Sequence, residues 1–240
     1  MLFERDKWLQ YGILRDEPSL AERLPETQLL EKDTLTKMLL QYPSVVLKPR
    51  NGSYGRGILF IKRSGANAYR IQNENNTVTM RDNEQLLEWF EQTIKSDEYI
   101  VQKRLQLAQI KHRPFDIRIM VQRKKGSSST WNVTGSYAKV AAQGYQVTNV
   151  NNRPIPVIKA LRLARIGDRR LLVRAEQVSR LAAKRLGEHY PMLRQVGFDI
   201  AIDKKRRIWI IEGNYQPAIR PFRLLKDSSM HRRILWYKKH

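Results

Sequence analysis

Apolar positions in the first hundred residues change period several times, and each change marks an element. Leu35, Met38, Leu39 and Leu40 recur at helical spacing behind Asp33, a capping side chain, and the run stops before Pro43. Ser44-Val45-Val46-Leu47-Lys48 then reads as a short β-branched strand, Gly52 to Gly57 as a turn, and Ile58-Leu59-Phe60-Ile61 as the returning strand. Short strands follow at Ala68 to Ile71 and Thr77 to Met80. Asp82 caps a second helix with Leu86, Leu87, Phe90 and Ile94 in its stripe, and Tyr99 to Gln102 closes this first lobe.

From Phe115 the pattern turns to longer strands: Asp116 to Gln122, Trp131 to Val140 across the turn Lys124 to Ser129, and Gln146 to Val150. A long helix is predicted over Arg170 to His189, with Leu171, Val178, Leu181 and Leu186 among its buried residues. Gly197 to Asp203 and Ile208 to Ile211 form a last hairpin. Met230 to His240, basic with Trp236 and Tyr237, reads either as a docked helix or as a mobile tail that binds polyanions.

The last hairpin carries chemistry. Glu212 and Asn214 are two apart and share a strand face, and a four-residue loop from Lys204 to Arg207 sets Asp199 directly opposite Glu212. Like charges placed opposite each other weaken a strand pair, so the arrangement makes sense with a cation between them. An oxygen-only donor set favours magnesium, which completes its shell with water and phosphate oxygens. An ordinary solvated hairpin also carries acids near its ends, and Asp203 reads as a turn residue.

The chain has 240 residues, 41% hydrophobic and 28% charged, enough for one domain or two small lobes with a real core. No run approaches a membrane span, and Met1 to Gln10 lacks a signal peptide's apolar stretch, so the expected compartment is cytoplasmic. Cysteine is absent, which excludes disulfides, thiolate zinc and a cysteine nucleophile. Charge changes the picture more: 45 basic against 23 acidic residues give +22. Nine basic residues fall in Lys159 to Arg185 and seven in Gln216 to His240. Nucleic acid, an anionic polymer and a phosphorylated metabolite would all be attracted to such a field.

Lys48-Pro49-Arg50-Asn51-Gly52-Ser53-Tyr54-Gly55-Arg56-Gly57 joins two strands through three glycines spaced G-x-x-G-x-G. Glycines admit positive φ and let amide N–H groups approach phosphate oxygens, while Lys48, Arg50 and Arg56 supply charge. A plain glycine-rich turn has the same letters, and the spacing is neither that of a P-loop nor that of a dinucleotide fold.

Taken in order, these motifs resemble the ATP-grasp superfamily, and most closely its YheC/YheD-type members linked to bacterial endospore coats. The likeness runs from about Leu24 to Pro217. It rests on Val46-Leu47-Lys48-Pro49, Gly52 to Ile58, Phe115-Asp116-Ile117-Arg118, Val121-Gln122, Trp131 to Gly135, Val147-Thr148-Asn149 and Trp209 to Asn214. The resemblance implies an α+β fold: two lobes with mainly antiparallel sheets gripping ATP between them. The corresponding organisation is an N-terminal segment and helix (residues 1–43), a small lobe (44–104), a large lobe (105–225) and a basic tail (226–240). It further implies that Lys48 and Lys103 reach the nucleotide and that Gly52, Ser53, Tyr54, Gly55, Arg56 and Gly57 cover its phosphates. The backbone of Gln102, Lys103, Arg104 and Leu105 would read adenine, Asp116 the ribose, and Asp199, Glu212 and Asn214 would hold magnesium. Arg118 would approach phosphate or acyl group, and Arg118 and Lys139 are the candidates for the acyl-phosphate stabilisation that a further arginine supplies in many of these ligases.

The chain departs from the family in three places. Many of these ligases carry an arginine two positions before the first metal carboxylate, where this chain has Gly197. After Asn149 it reads Val150-Asn151-Asn152-Arg153-Pro154 rather than a glycine pair, and only about forty residues precede the first strand, short of the usual N-terminal domain. The implied activity is ligation: ATP's γ-phosphoryl passes to a carboxylate, and an amine or other nucleophile attacks the acyl phosphate. Neither the carboxylate nor the nucleophile is legible. His112, His189, His231 and His240 show no metal spacing, and kinase signatures are missing. The competing reading is a non-catalytic basic scaffold that retains the ATP-binding shell and attaches to spore-coat proteins, nucleic acid or another polyanion.

Overall fold

The computed structural model of the chain describes residues 5–52, 55–65, 67–95, 98–126, 130–146, 148 and 153–240. Helices α1 (Lys7–Arg15) and α2 (Pro18–Ala21) come first. The chain divides into two compact units, one of residues 6–9 and 25–105, the other of Arg5, 10–24 and 106–240.

The first unit is built on β1 (Thr27–Leu29), β2 (Ser44–Pro49), β3 (Leu59–Ser64), β4 (Ala68–Asn73), β5 (Asn76–Met80) and β6 (Tyr99–Lys103), with α3 (Lys32–Gln41) and α4 (Asn83–Thr93). The strand order is β1-β6-β2-β3-β4-β5, antiparallel throughout. Val45 and Leu47 of β2, Leu59 and Ile61 of β3 and Val101 of β6 share a core with Leu35, Met38, Leu39, Leu86 and Phe90 from the helices. Asp82 caps α4 as its sequence predicts, accepting the Gln85 N–H at 2.8 Å. α3 starts one residue before Asp33, with Glu31 at its cap, whose N–H donates to the Thr34 hydroxyl at 2.8 Å. Leu40, placed on the buried stripe by its sequence, is 70% exposed. Leu39 already fills that line, and the next residue is rotated about 100° away.

The second unit holds β7 (Gln109–Ile110), β8 (Arg113–Gln122), β9 (Asn132–Val140), β10 (Gln195–Ile202) and β11 (Ile208–Asn214), with helices α5 (Val157–Leu163), α6 (Arg169–His189), α7 (Arg220–Arg223) and α8 (Ser229–Lys239). β8 is central: β10 and β9 pair with it antiparallel, and β11 pairs with β10. Of the strand expected at Gln146 to Val150, Gln146 and Thr148 lie in a bend and a turn, and Val147, Asn149 and Val150 are outside the described residues. On α6 the buried line is Leu171, Ala175, Ser179, Ala182, Ala183 and Leu186, small for most of its length, while Val178 and Leu181 are half-buried. Met230 to His240 takes the first of its two readings, a docked helix. Ile234 is fully buried with Met120, Tyr137 and Phe222, and Phe222 meets the Tyr137 ring edge-on at 4.8 Å. Among the described residues no helix is long and apolar enough to cross a membrane.

Candidate functional site

In the first unit the glycine hairpin joins β2 to β3. Gly55 and Gly57 adopt φ +72° and +71°, the conformation their residue type was read to permit. A Cβ on Gly52 would lie 2.9 Å from Pro49 Cβ, so this turn also depends on close backbone approach. Ser53 and Tyr54, expected at the phosphates, lie outside the described residues; Arg56 is exposed. Two side chains missed by sequence reasoning brace the turn. Lys7 Nζ donates to Gly52 O at 2.6 Å, and Asp6 binds Arg50, accepting from Nε at 3.1 Å. No local sequence signal marks either, because their partners are more than forty residues away.

Lys48 is buried and its Nζ donates to Gln102 Oε1 at 2.6 Å; Gln102 Nε2 donates to the Thr27 hydroxyl at 2.8 Å. Pairing of Val45 with Lys103 and of Val46 with Gln102 sets the faces. Lys48 lies with Val46, Ile100 and Gln102, whereas Lys103 is on the core face, its Nζ 4.4 Å from the Tyr42 ring centre. The two lysines expected to share the nucleotide thus project from opposite faces of one sheet. In the segment expected to read adenine, Lys103 N–H donates to Glu26 O at 2.8 Å and Arg104 N–H to Ser44 O at 3.2 Å. The Arg104 guanidinium lies 4.9 Å over Phe60, and Leu105 is half-buried.

The second unit gathers its predicted residues on one sheet face. Asp199 pairs with Glu212 on β11 and Arg118 on β8, Arg118 with Tyr137 on β9, and Asp116 with Lys139. Directly opposed residues share a face, so a row runs Tyr137-Arg118-Asp199-Glu212 across four strands. The Asp199–Glu212 register arises differently from its prediction. The strands end at Ile202 and Ile208, five residues connect them, and a bulge between Asp199 and Ile200 restores the pairing. Asp203 serves the turn as read, accepting from the N–H groups of Lys205 and Arg207, both at 2.9 Å.

Asp199 is buried and doubly paired. Arg118 grips it through Nε at 2.7 Å and Nη2 at 3.1 Å, and Lys139 Nζ donates to Oδ1 at 2.9 Å. Burial alone would raise its carboxyl, but Arg118 and Lys139 outweigh that and hold it below the usual range. Lys139 Nζ also stands 3.2 Å from Asp116 Oδ1, an ion-pair distance without hydrogen-bond geometry, while the Thr148 hydroxyl donates to Asp116 Oδ2. Burial raises the Asp116 carboxyl to about 6 against the pull of Lys139.

The folded chain therefore holds the Asp116 proton that the unfolded chain releases near pH 4, and the associated stability is lost as pH rises from about 4 to 6. We expect Asp116→Asn to gain on the wild type by about 2–3 kcal/mol between pH 4 and pH 7 in urea unfolding. A constant difference between the two would contradict the raised value.

Gly197 explains how the row packs. A Cβ there would lie 2.5 Å from Pro217 Cβ and 3.1 Å from Arg118 Nη1. Arg118 occupies the space that a side chain at 197 would need. On β11, Gln10 is a third residue missed by sequence reasoning. Its Nε2 donates to Gly213 O at 2.9 Å and its Oε1 accepts the Gly213 N–H at 2.7 Å. β11 is an edge strand, so the Gln10 amide substitutes for a neighbouring strand between Glu212 and Asn214.

The donors suit magnesium in type: two facing carboxylates, plus Asn214, which is half-buried with its Nδ2 3.4 Å from Gly197 O. Among the described residues no three or more His, Asp or Glu side chains gather at metal-binding distances. A dication would share Asp199 with Arg118 and Lys139 and take remaining ligands from Glu212, Asn214 and non-protein oxygens.

The profile of a family described as YheC/D like ATP-grasp matches residues 3–239. Among curated relatives, the endospore coat-associated protein YheD of Bacillus subtilis is 25% identical over 225 residues, covering 89% of this chain and 48% of its own length. YheC of the same organism is 24% identical over 223 residues, covering 89% of this chain and 60% of its own length. The chain thus spans about half the length of these relatives. Among solved structures, the biotin carboxylase domain of Hydrogenobacter thermophilus 2-oxoglutarate carboxylase, in complex with MgADP, ADP and bicarbonate, aligns with TM-score 0.60 at 15% identity. That alignment covers 98% of this chain and 46% of the other, and it shows the fold.

Proposed function

The chain belongs to the YheC/D-like ATP-grasp family, and from that premise we propose that it binds ATP with magnesium and ligates a carboxylate to an amine or other nucleophile through an acyl phosphate. The observation that carries the proposal is the single sheet face bearing Asp116, Arg118, Lys139, Asp199 and Glu212. Phosphoryl transfer needs positioned charge more than a covalent nucleophile, and this face supplies both signs without cysteine or histidine. Asp199, Glu212 and Asn214 would hold magnesium, which when bound neutralises phosphate oxygens. Arg118, standing where a residue at 197 would otherwise project, and Lys139 place two cations beside the carboxylates. Lys48, fixed by Gln102, supplies charge at the root of the glycine hairpin. The relatives' names carry the further proposal that the protein acts at the endospore coat.

One observation favours a second reading. Both Asp199 oxygens are already bound by cations, as suits a scaffold that holds nucleotide without turning it over.

Calorimetric titration with a non-hydrolysable ATP analogue tests the first step. Binding should require magnesium, and Glu212→Gln and Lys48→Ala should each weaken it by about tenfold or more, about 1.4 kcal/mol. ADP release stimulated by a carboxylate and an amine would then separate ligase from scaffold. Binding by both variants equal to wild type would remove the site assignment.

A further inference from the structure

Away from the carboxylate face, a cavity of about 660 Å³ opens among the end of β8, the C-terminal half of α6 and the turn before β10. Its lining includes Arg123, Lys124, Lys125, Lys184 and Arg194, with Glu188 the single acid. None of these residues belongs to the nucleotide or metal assignments. Lys124, Lys125 and Lys184 are exposed.

The back wall is built rather than incidental. Arg123 is buried, donates from Nε to Leu193 O at 2.8 Å, and lies 4.9 Å over the Trp131 ring. Trp131 in turn packs on Gly187, where a Cβ would come 2.8 Å from Cζ2, so only glycine lets α6 accept the indole. Arg194 donates from Nη2 to Tyr237 O at 3.1 Å, yet its Nε–H is buried without an acceptor. Burial and the neighbouring Arg194 both lower the Arg123 pKa. Two guanidinium groups that repel each other, one with an unmet donor, leave the cavity short of negative charge.

An acidic peptide would satisfy the cations alone. The cavity offers more: Pro191 and Met192, the latter 76% exposed, provide apolar surface among the charges, in front of a wall in which Trp131 is buried between Arg123 and Gly187. A base flanked by phosphates matches that combination of apolar surface and surrounding lysines. We propose that this cavity is a binding site for single-stranded nucleic acid, with Lys124, Lys125 and Lys184 contacting phosphates and the apolar surface packing against a base. The sequence located excess charge in Lys159 to Arg185 and Gln216 to His240; folding adds the separate cluster Arg123-Lys124-Lys125 and Arg194 to Lys184 of the first stretch.

Fluorescence anisotropy of the full chain with a labelled oligothymidylate of about ten nucleotides, across a salt series, tests the site. Lys125→Glu/Lys184→Glu changes two exposed side chains outside any core cluster. It should weaken binding roughly tenfold and reduce the slope of log affinity against log salt by about 1.4. Lys204→Glu/Lys205→Glu, an equal charge change on the exposed β10–β11 turn, should leave the affinity within twofold of wild type. Equal losses in both double variants, or no binding by wild type, would overturn the site. Polyglutamate of the same length competing as well as oligothymidylate would overturn the nucleic-acid assignment in favour of an acidic protein. Wild-type thermal midpoint and unchanged ATP-analogue binding in Lys125→Glu/Lys184→Glu would separate loss of this site from loss of fold or nucleotide site.

Discussion

Asp199→Asn should destabilise the ligand-free chain by about 3–5 kcal/mol, because it leaves two buried cations without their shared counter-ion. Arg118 donates to this carboxylate through Nε and Nη2 and Lys139 through Nζ, which also stands 3.2 Å from Asp116, and asparagine can accept from them but carries no charge. Urea unfolding at neutral pH reads the effect directly. Glu212→Gln, at a half-buried position facing the same row, should change stability by no more than about 1 kcal/mol. The pH dependence follows from the lowered Asp199 carboxyl. Its stabilisation is present above the unfolded carboxylate pKa and disappears as pH falls through the folded value. Wild type and Asp199→Asn should therefore converge in strongly acidic solution. Equal stability of the 199 and 212 variants at pH 7 would contradict the role of Asp199 as counter-ion to Arg118 and Lys139. Glu212→Gln is accordingly the cleaner probe of magnesium binding, since loss of nucleotide in an Asp199 variant mixes site with fold.

Gly197→Arg, which restores the residue type that many ATP-grasp ligases carry at this position, should cost about 3 kcal/mol or more and should not support activity. Even a first carbon at 197 meets Pro217 Cβ at 2.5 Å, and the rest of the side chain must displace the Arg118 guanidinium. Releasing Arg118 also releases its grip on Asp199. The measurement is the unfolding midpoint of Gly197→Ala and Gly197→Arg together with Gly197→Arg/Arg118→Ala. Partial recovery in the double variant is the expected outcome, because it vacates part of the disputed space. A Gly197→Arg protein as stable as wild type would show that Arg118 has room elsewhere and does not substitute for the missing arginine.

These two expectations differ in how far the sequence could anticipate them. That Glu212 and Asn214 share a face was legible from strand alternation, since residues two apart do so whatever surrounds them, whereas the facing of Asp199 and Glu212 was read from a four-residue loop. The true loop count was not legible, because a bulge between Asp199 and Ile200 adds the residue that the five-residue connection would otherwise misplace. Alternation is a local rule; a bulge reflects how neighbouring strands twist and pack. Lys48 and Lys103 show the same limit. Both follow from motif likeness, yet the pairing of Val45 with Lys103 puts them on opposite faces.

Local rules let the sequence by itself determine the strands around the glycine hairpin, the helices behind Asp82 and along Arg170 to His189, the positive-φ glycines, the shared face of Glu212 and Asn214, and the family the motifs resemble, while α1, α2, β1, β7, α5 and α7 left no such signal. Capping, periodicity and glycine's missing Cβ operate over a few residues. Only the tertiary structure decided that Asp199 is neutralised by Arg118 and Lys139, 81 and 60 residues away. It also decided that Gln10 holds the edge of β11 and that scattered basic residues surround one cavity. Those outcomes depend on which buried charges and unpaired backbone groups meet after the sheets form. Desolvation makes each such meeting energetically decisive without leaving a mark on the neighbouring sequence.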